Sequence, residues 1–311
     1  MAKVLINDGI HPTGLKKLQD AGFEVSTDKI EQADLMTELT KFDAICVRSA
    51  TKVRQELIDN CPNLKVVGRG GVGLDNIDVD YARSKNIHVV NTPAASSRSV
   101  AELVFAHLFS VSRSLYQANR QMPLDGDNNF KGLKKAYSKG FELEGKTLGV
   151  IGFGRIGQQT ARLALGVGMD VVASDPYVET ATIDMGRFGE VKVVTSSMDQ
   201  LLAESDVITL HIPFTGEAVL SKEEFAKMKD GVVLINASRG GTVDETALLE
   251  ALDNGKVSVA GIDVFENEPN PRQDLLQHPR VSLSPHIGAS TNEAQEKIGI
   301  ELADQLIDLL K

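Results

Sequence analysis

Gly149-Val150-Ile151-Gly152-Phe153-Gly154-Arg155-Ile156-Gly157-Gln158 decides how this chain is read. The apolar, β-rich run Thr147–Ile151 feeds into Gly152-x-Gly154-x-x-Gly157, and helix-forming residues 158–165 follow at once. A strand, a tight glycine turn and a helix in that order present backbone N–H groups and the positive end of a helix dipole to a pyrophosphate. The first two glycines let the main chain approach the phosphates, and the third lets helix pack on strand. Such turns are common, so context has to make this one specific. Asp170–Ser174 reads as a second apolar strand and ends at Asp175, roughly twenty residues beyond Gly152. A carboxylate there accepts hydrogen bonds from both ribose hydroxyls and repels a 2′-phosphate, so the expected cofactor is NAD rather than NADP.

Around this turn the chain has the make-up of a soluble globular protein. Its 311 residues exceed what one core usually organises, so two domains are expected. With 42% hydrophobic and 24% charged residues the composition is ordinary, and the formal net charge of −10 argues against a nucleic-acid-binding face. No apolar run is long enough for a signal peptide or a membrane span, which predicts a cytoplasmic protein with no membrane partner. Cys46 and Cys61 lack metal-ligand spacing, so reduced thiols are expected, with no disulfide and no metal site.

Outward from the glycine turn, short apolar runs alternate with amphipathic ones, the pattern of parallel strands joined by helical crossovers. Residues 1–95 form one such α/β unit. A long helix is expected over 97–121, its apolar positions including Val100, Val104, His107, Leu108 and Val111, and the polar, Gly/Lys-rich segment 123–145 reads as a surface excursion. After the turn, strands are expected at 191–194, 207–211, 232–236, 257–263 and 280–284, with a loop over 266–279 and a last helix over 291–310. A dinucleotide domain that starts this deep in the chain is inserted into another, to which the last helix returns.

Open α/β sheets place ligands beyond the carboxyl ends of their strands. Three such ends carry chemistry: Asn236-Ala237-Ser238-Arg239-Gly240-Gly241, Asp263-Val264-Phe265-Glu266-Asn267-Glu268-Pro269 and Ser284-Pro285-His286-Ile287-Gly288-Ala289. The rigid fork of Arg239 suits the carboxylate and neighbouring oxygen of a 2-hydroxy or 2-oxo acid, while His286 can exchange the hydroxyl proton as hydride moves to a nicotinamide. Glu268 beside that histidine would favour the imidazolium and fix its tautomer. Each residue alone has a plainer reading, as a surface arginine, a solvated loop carboxylate and a helix-capping histidine. Their joint placement on a nucleotide-binding sheet favours catalysis.

Along nearly its whole length the sequence resembles the D-2-hydroxyacid dehydrogenase family, and within it the 3-phosphoglycerate dehydrogenase branch most. The resemblance rests on these strand-end motifs, the glycine turn, Val67-Gly68-Arg69-Gly70-Gly71-Val72-Gly73-Leu74-Asp75-Asn76-Ile77-Asp78, Asn91-Thr92-Pro93, Ser99-Val100-Ala101-Glu102-Leu103 and Pro285-His286-Ile287-Gly288-Ala289-Ser290-Thr291. It implies an α/β fold of two doubly wound parallel-sheet domains. A Rossmann NAD domain, 96–285, is inserted into a flavodoxin-like substrate domain, 1–95 with 286–311. It assigns Arg239 to the substrate, His286 as general acid/base and Glu268 as its partner. Cofactor contacts would fall on Gly152, Gly154, Arg155, Ile156, Gly157, Asp175, Ile212, Pro213, Ala237, Ser238, Asp263 and Gly288. The backbone of Arg69, Gly70, Gly71 and Val72 would meet the substrate carboxylate, Arg48 would read a phosphate, and Lys135 could reach in from a neighbouring subunit.

The implied reaction is oxidation of 3-phospho-D-glycerate. The alternatives are a glyoxylate or hydroxypyruvate reductase, or a non-catalytic NAD-sensing protein like the co-repressors that share the fold. A homodimer built through the long helix after Pro93, or a homotetramer, is implied as well. The chain stops at Lys311, so the C-terminal regulatory domain of many phosphoglycerate dehydrogenases, and serine feedback through it, are not expected.

Overall fold

The computed structural model describes residues 1–311, which divide into two compact units, Met1–Ser99 with Ala289–Lys311 and Val100–Gly288. The first unit runs β1 (Lys3–Ile6), α1 (Pro12–Asp20), β2 (Glu24–Ser26), α2 (Leu35–Glu38), β3 (Ala44–Val47), α3 (Gln55–Asn60), β4 (Val66–Arg69), α4 (Val79–Ser84) and β5 (His88–Asn91). Its five strands are all parallel, in the order β2-β1-β3-β4-β5. Successive residues of a strand point to opposite faces, and here both faces are covered. Leu5, Ile45 and Val67 pack with Leu35, Leu57 and Ile58 on one side. On the other, Val4, Ile6, Ala44 and Val66 meet Leu18 of α1 and residues Leu302, Ala303 and Leu306 of the chain's last helix. Two buried faces are why these strands read as unbroken apolar runs rather than alternating ones.

The second unit takes in most of α5 (Ser97–Ser112) and then α6 (Leu115–Asp125), α7 (Phe130–Ala136), β6 (Thr147–Ile151), α8 (Arg155–Gly166), β7 (Asp170–Ser174), β8 (Thr180–Asp184) and β9 (Glu190–Val194). It continues through α9 (Met198–Glu204), β10 (Val207–Leu210), α10 (Lys222–Lys227), β11 (Val232–Asn236), α11 (Glu245–Asp253), β12 (Val257–Ile262), α12 (Gln273–Gln277) and β13 (Val281–Leu283), before α13 (Asn292–Leu310) returns to the first unit. Six parallel strands run β13-β12-β11-β10-β6-β7. Connectivity reverses at β6, which lies between β10 and β7, so the glycine turn that follows β6 sits at the topological switch point, where open sheets bind ligands. The expected fold class, two doubly wound parallel sheets with one unit inserted in the other, is the observed one.

Four local expectations are corrected. The strand at 191–194 does not join the parallel sheet as a full member: β9 pairs antiparallel with β8, and only Thr195 makes a parallel bridge, to Ala173 of β7. Gly186 and Gly189, both at positive φ, turn the hairpin, and its register places Ile183 and Val193 among the buried core residues. The long helix breaks into α5 and α6 at Ser114, whose φ of +50° lies outside the right-handed helical region. The excursion over 123–145 holds the end of α6 and all of α7; these helices bury only Leu133, so no apolar periodicity betrays them. The loop over 266–279 likewise contains α12. Both cysteines are buried and unbridged, and no helix is long and apolar enough to cross a membrane.

Candidate active site

The glycine turn is built as a cradle. Gly152 leaves β6 with φ +90° and donates its N–H to Ser174 O at 2.9 Å, tying the turn to β7. A Cβ on Gly152 would stand 2.6 Å from His211 O and 2.7 Å from Ile212 Cγ2, so the loop after β10 lies directly against the turn. A Cβ on Gly157 would collide with Gly152 O, which is the close helix-to-strand packing required of the third glycine. No side chain caps α8 at Gly154, so the N–H groups of its first turn, including those of Arg155 and Ile156, are left for an anion. Half-buried Ile212 and exposed Pro213 complete this rim. His211, which the sequence reading passed over, is a neutral ring here: burial pushes it down to about 3. The cradle, its uncapped amides and the acidic side chain beside it fit a dinucleotide.

That side chain is Asp175. Its Oδ2 accepts the Phe153 N–H at 2.6 Å, and its Oδ1 accepts those of Tyr177 and Val178 at 2.8 and 3.1 Å. A carboxylate has about four lone-pair sites, so Asp175 both organises the turn and keeps acceptor capacity for a ribose hydroxyl. Asp175→Ala should therefore weaken binding of either dinucleotide, but the ratio of kcat/KM for NAD to that for NADP isolates the ribose contact. We expect that ratio to fall by at least about tenfold, the size of one hydrogen bond to a charged group; an unchanged ratio removes Asp175 from cofactor choice.

The strand ends of β11, β12 and β13 lie side by side. After β11, Asn236 Oδ1 accepts the Ser238 N–H and hydroxyl, and Thr242 Oγ1 donates to Arg239 O at 2.7 Å, so buried Ala237 and Ser238 lead into a closed turn bearing Arg239. A Cβ on Gly240 would overlap Phe265 O, so this turn is pressed against the loop after β12. The two loops are also clasped: Glu245 N–H donates to Glu266 Oε1 at 3.0 Å and Glu266 N–H to Glu245 Oε1 at 2.9 Å. Burial, with the nearby Glu266 charge, raises the Glu245 carboxyl above the ordinary glutamate value.

Glu268 Oε2 stands 2.8 Å from His286 Nδ1, and Glu268 Oε1 accepts the Phe265 N–H at 3.0 Å. Burial works to raise this carboxyl, but the hydrogen bonds from His286 and Phe265 and the charges of His286 and Arg239 hold it below the ordinary value. It is therefore ionised near neutrality and accepts only, so Nδ1 of His286 carries the proton and Nε2 is left for chemistry. The stabilisation that Glu268 draws from ionisation is therefore complete above the unfolded glutamate range and is lost as pH falls through its lowered folded value. The structure thus brings Arg239, Glu268 and His286 together in one unit.

His286 itself has φ +53°, an uncommon backbone conformation for a non-glycine residue. Asp263, only 1% exposed, holds that turn: its carbonyl accepts the His286 N–H at 2.8 Å, and its carboxylate accepts the Ile287 and Gly288 N–H groups at 2.9 and 3.1 Å. Asp263 and Gly288, expected as cofactor contacts, are thus first of all the scaffold of the histidine turn.

In the first unit, Arg48 follows β3, half-buried, with its N–H donated to Asp8 Oδ2 at 2.7 Å and its carbonyl accepting from Asn76 Nδ2 at 2.8 Å. In the loop after β4, begun by Arg69, Gly70 donates its N–H to Val47 O and Gly71 to Thr92 Oγ1, so those two amides are already engaged. The first N–H this loop can offer a carboxylate is that of Val72, whose carbonyl accepts from Asn91 Nδ2 at 2.6 Å. In the second unit, Lys135 lies exposed in the last turn of α7.

Residues 105–288 match the family described as D-isomer specific 2-hydroxyacid dehydrogenase, NAD binding domain. The chain is 43% identical to a hydroxypyruvate reductase of Thermotoga maritima, over 98% of this chain and 97% of that protein. It is 42% identical to a D-3-phosphoglycerate dehydrogenase of Bacillus subtilis over 100% of this chain, which spans 57% of that longer protein. Among solved structures, the D-lactate dehydrogenase of Aquifex aeolicus in complex with NAD and lactic acid superposes with a TM-score of 0.79 at 32% identity, covering 97% of this chain and 94% of that one.

Proposed function

The chain belongs to the D-isomer specific 2-hydroxyacid dehydrogenase family, and from that premise we propose that it oxidises 3-phospho-D-glycerate to 3-phosphohydroxypyruvate and catalyses the reverse reduction. NAD, the cofactor of the matched domain, supplies the hydride acceptor when bound. The observation that carries the acid–base part is the ionised Glu268 held 2.8 Å from His286 Nδ1, with the charge of Arg239 acting on the same carboxylate. The Arg239 fork binds the substrate carboxylate and the neighbouring C2 oxygen, orienting C2 for hydride loss. Nε2 of neutral His286 accepts the hydroxyl proton as that hydride leaves; in reduction the imidazolium returns it. Glu268 stabilises the imidazolium and keeps the ring from turning over.

The phosphorylated substrate is supported by the D-3-phosphoglycerate dehydrogenase relatives and by Arg48, a cationic residue whose backbone is tied to Asp8 just beyond a strand end. A second reading, reduction of hydroxypyruvate, is favoured by the Thermotoga relative, whose similarity runs the length of both proteins. Steady-state rates with phosphorylated and unphosphorylated substrates decide between them. We expect kcat/KM to favour the phosphorylated acid, and Arg48→Ala to lower it for that substrate alone by about 10- to 100-fold, the worth of one charge-assisted contact. Higher kcat/KM for hydroxypyruvate would replace the first reading by the second, and an equal loss on both substrates would remove Arg48 as the phosphate reader.

A further inference from the structure

Behind the His286 turn lies a buried polar chain that none of the steps above uses. His107 projects from α5 onto β12 at Gly261, where a Cβ would come within 2.8 Å of the His107 Cβ. The imidazole is 5% exposed, yet both nitrogens have partners: Nε2 is 2.8 Å from Ser284 Oγ and Nδ1 is 3.0 Å from Ser282 Oγ. The order of the hydrogens is determined by the far end of the chain. Ser284 donates its hydroxyl to Asp263 Oδ1 at 2.6 Å, and an ionised carboxylate only accepts. A hydroxyl has one hydrogen, so Ser284 must accept from His107 Nε2–H, and the Nδ1 of a neutral ring then accepts from Ser282. Burial favours that neutral ring, against the pull of the Asp263 charge.

We propose that His107 is a positioning residue for the acid–base step, fixing through Ser284 and Asp263 the turn that holds His286. This rests on the role given to His286 above. Asp263 grips the turn on both sides, at the His286 N–H through its carbonyl and at Ile287 and Gly288 through its carboxylate. The oxygen that accepts the Ile287 N–H is also the one that Ser284 holds. A fully satisfied buried chain selects one arrangement of its members. Without the Nε2–H donor, Ser284 is free to turn its hydroxyl away from Asp263, and the carboxylate that anchors the left-handed turn at His286 loses one of the bonds that fix it.

The test compares His107→Leu, which removes the donor, with His107→Gln, whose amide can present one to Ser284. With 3-phospho-D-glycerate and with hydroxypyruvate as probes, the Leu variant is expected to lose about tenfold in kcat, as misplacement of a reacting group does. KM and the NADH dissociation constant from fluorescence are expected to stay near wild type, and the Gln variant to recover most of the lost kcat. Histidine 15N NMR of the unaltered protein should show His107 protonated at Nε2, a readout that needs no variant to fold. The proposal is overturned by a Leu variant with wild-type kcat, by Leu and Gln variants equally impaired, or by an Nδ1–H tautomer. An active His286→Ala protein would instead overturn the reading on which it rests.

Discussion

His286→Ala is expected to lose turnover by about 10²–10⁴-fold, the usual worth of a positioned general acid/base, while still binding NADH. The separation of the two effects follows from where the side chain lies. Its imidazole is hydrogen-bonded to Glu268, after β12, whereas the dinucleotide cradle is built by Gly152 to Gly157 and Asp175 at the ends of β6 and β7. Removing the ring deletes the proton acceptor proposed above, yet leaves Asp263 with the same backbone N–H donors. Glu268→Gln should fall between the variant and wild type, because a neutral amide can still accept from Nδ1 but no longer stabilises the imidazolium. Fluorescence titration with NADH and steady-state rates in both directions measure this. A His286→Ala protein that turns over normally would refute the assignment, and one that no longer binds NADH would place the histidine in the cofactor site instead.

What could be read from the sequence, and what could not, divides along a physical line. The glycine turn, Asp175 and the three strand ends were legible because their residue types carry their own chemistry and each directly follows an apolar run. Two-sided burial made those runs conspicuous, as in β3 and β11, whose residues are buried throughout. Of the hairpin, β9 is announced by its valines but β8 is not, because Thr180-Ala181-Thr182-Ile183-Asp184 is a short alternating run with no apolar stretch. The two buried interactions that shape the site left still less trace. The carboxylates of Glu245 and Glu266 each accept the other's backbone N–H, joining the start of α11 to the loop after β12, and in isolation each reads as a solvated carboxylate. His107 shows itself only as a polar residue on the apolar face of α5, and its partners lie some 175 residues on, a distance over which no local pattern carries information.

Arg239 should show the second large effect, and in two distinguishable parts. In the role proposed for it, Arg239 makes two charge-assisted hydrogen bonds to the substrate, each worth about 1.5–3 kcal/mol, so kcat/KM is expected to fall by roughly 10²–10⁴-fold in Arg239→Ala. Arg239→Lys restores a point charge but not the planar fork, and should stay at least about tenfold below wild type. The second part is electrostatic. The Arg239 charge contributes to holding the Glu268 carboxyl low, so its removal lets that carboxyl rise. The His286–Glu268 pair is then lost at a higher pH, and in the reduction direction, which starts from the imidazolium, the acid limb of the kcat/KM profile should move upward in the Ala variant but stay in place in the Lys variant. Wild-type kcat/KM in Arg239→Lys would show that the rigid fork is not used, and an unmoved acid limb in Arg239→Ala would show that its charge does not reach Glu268.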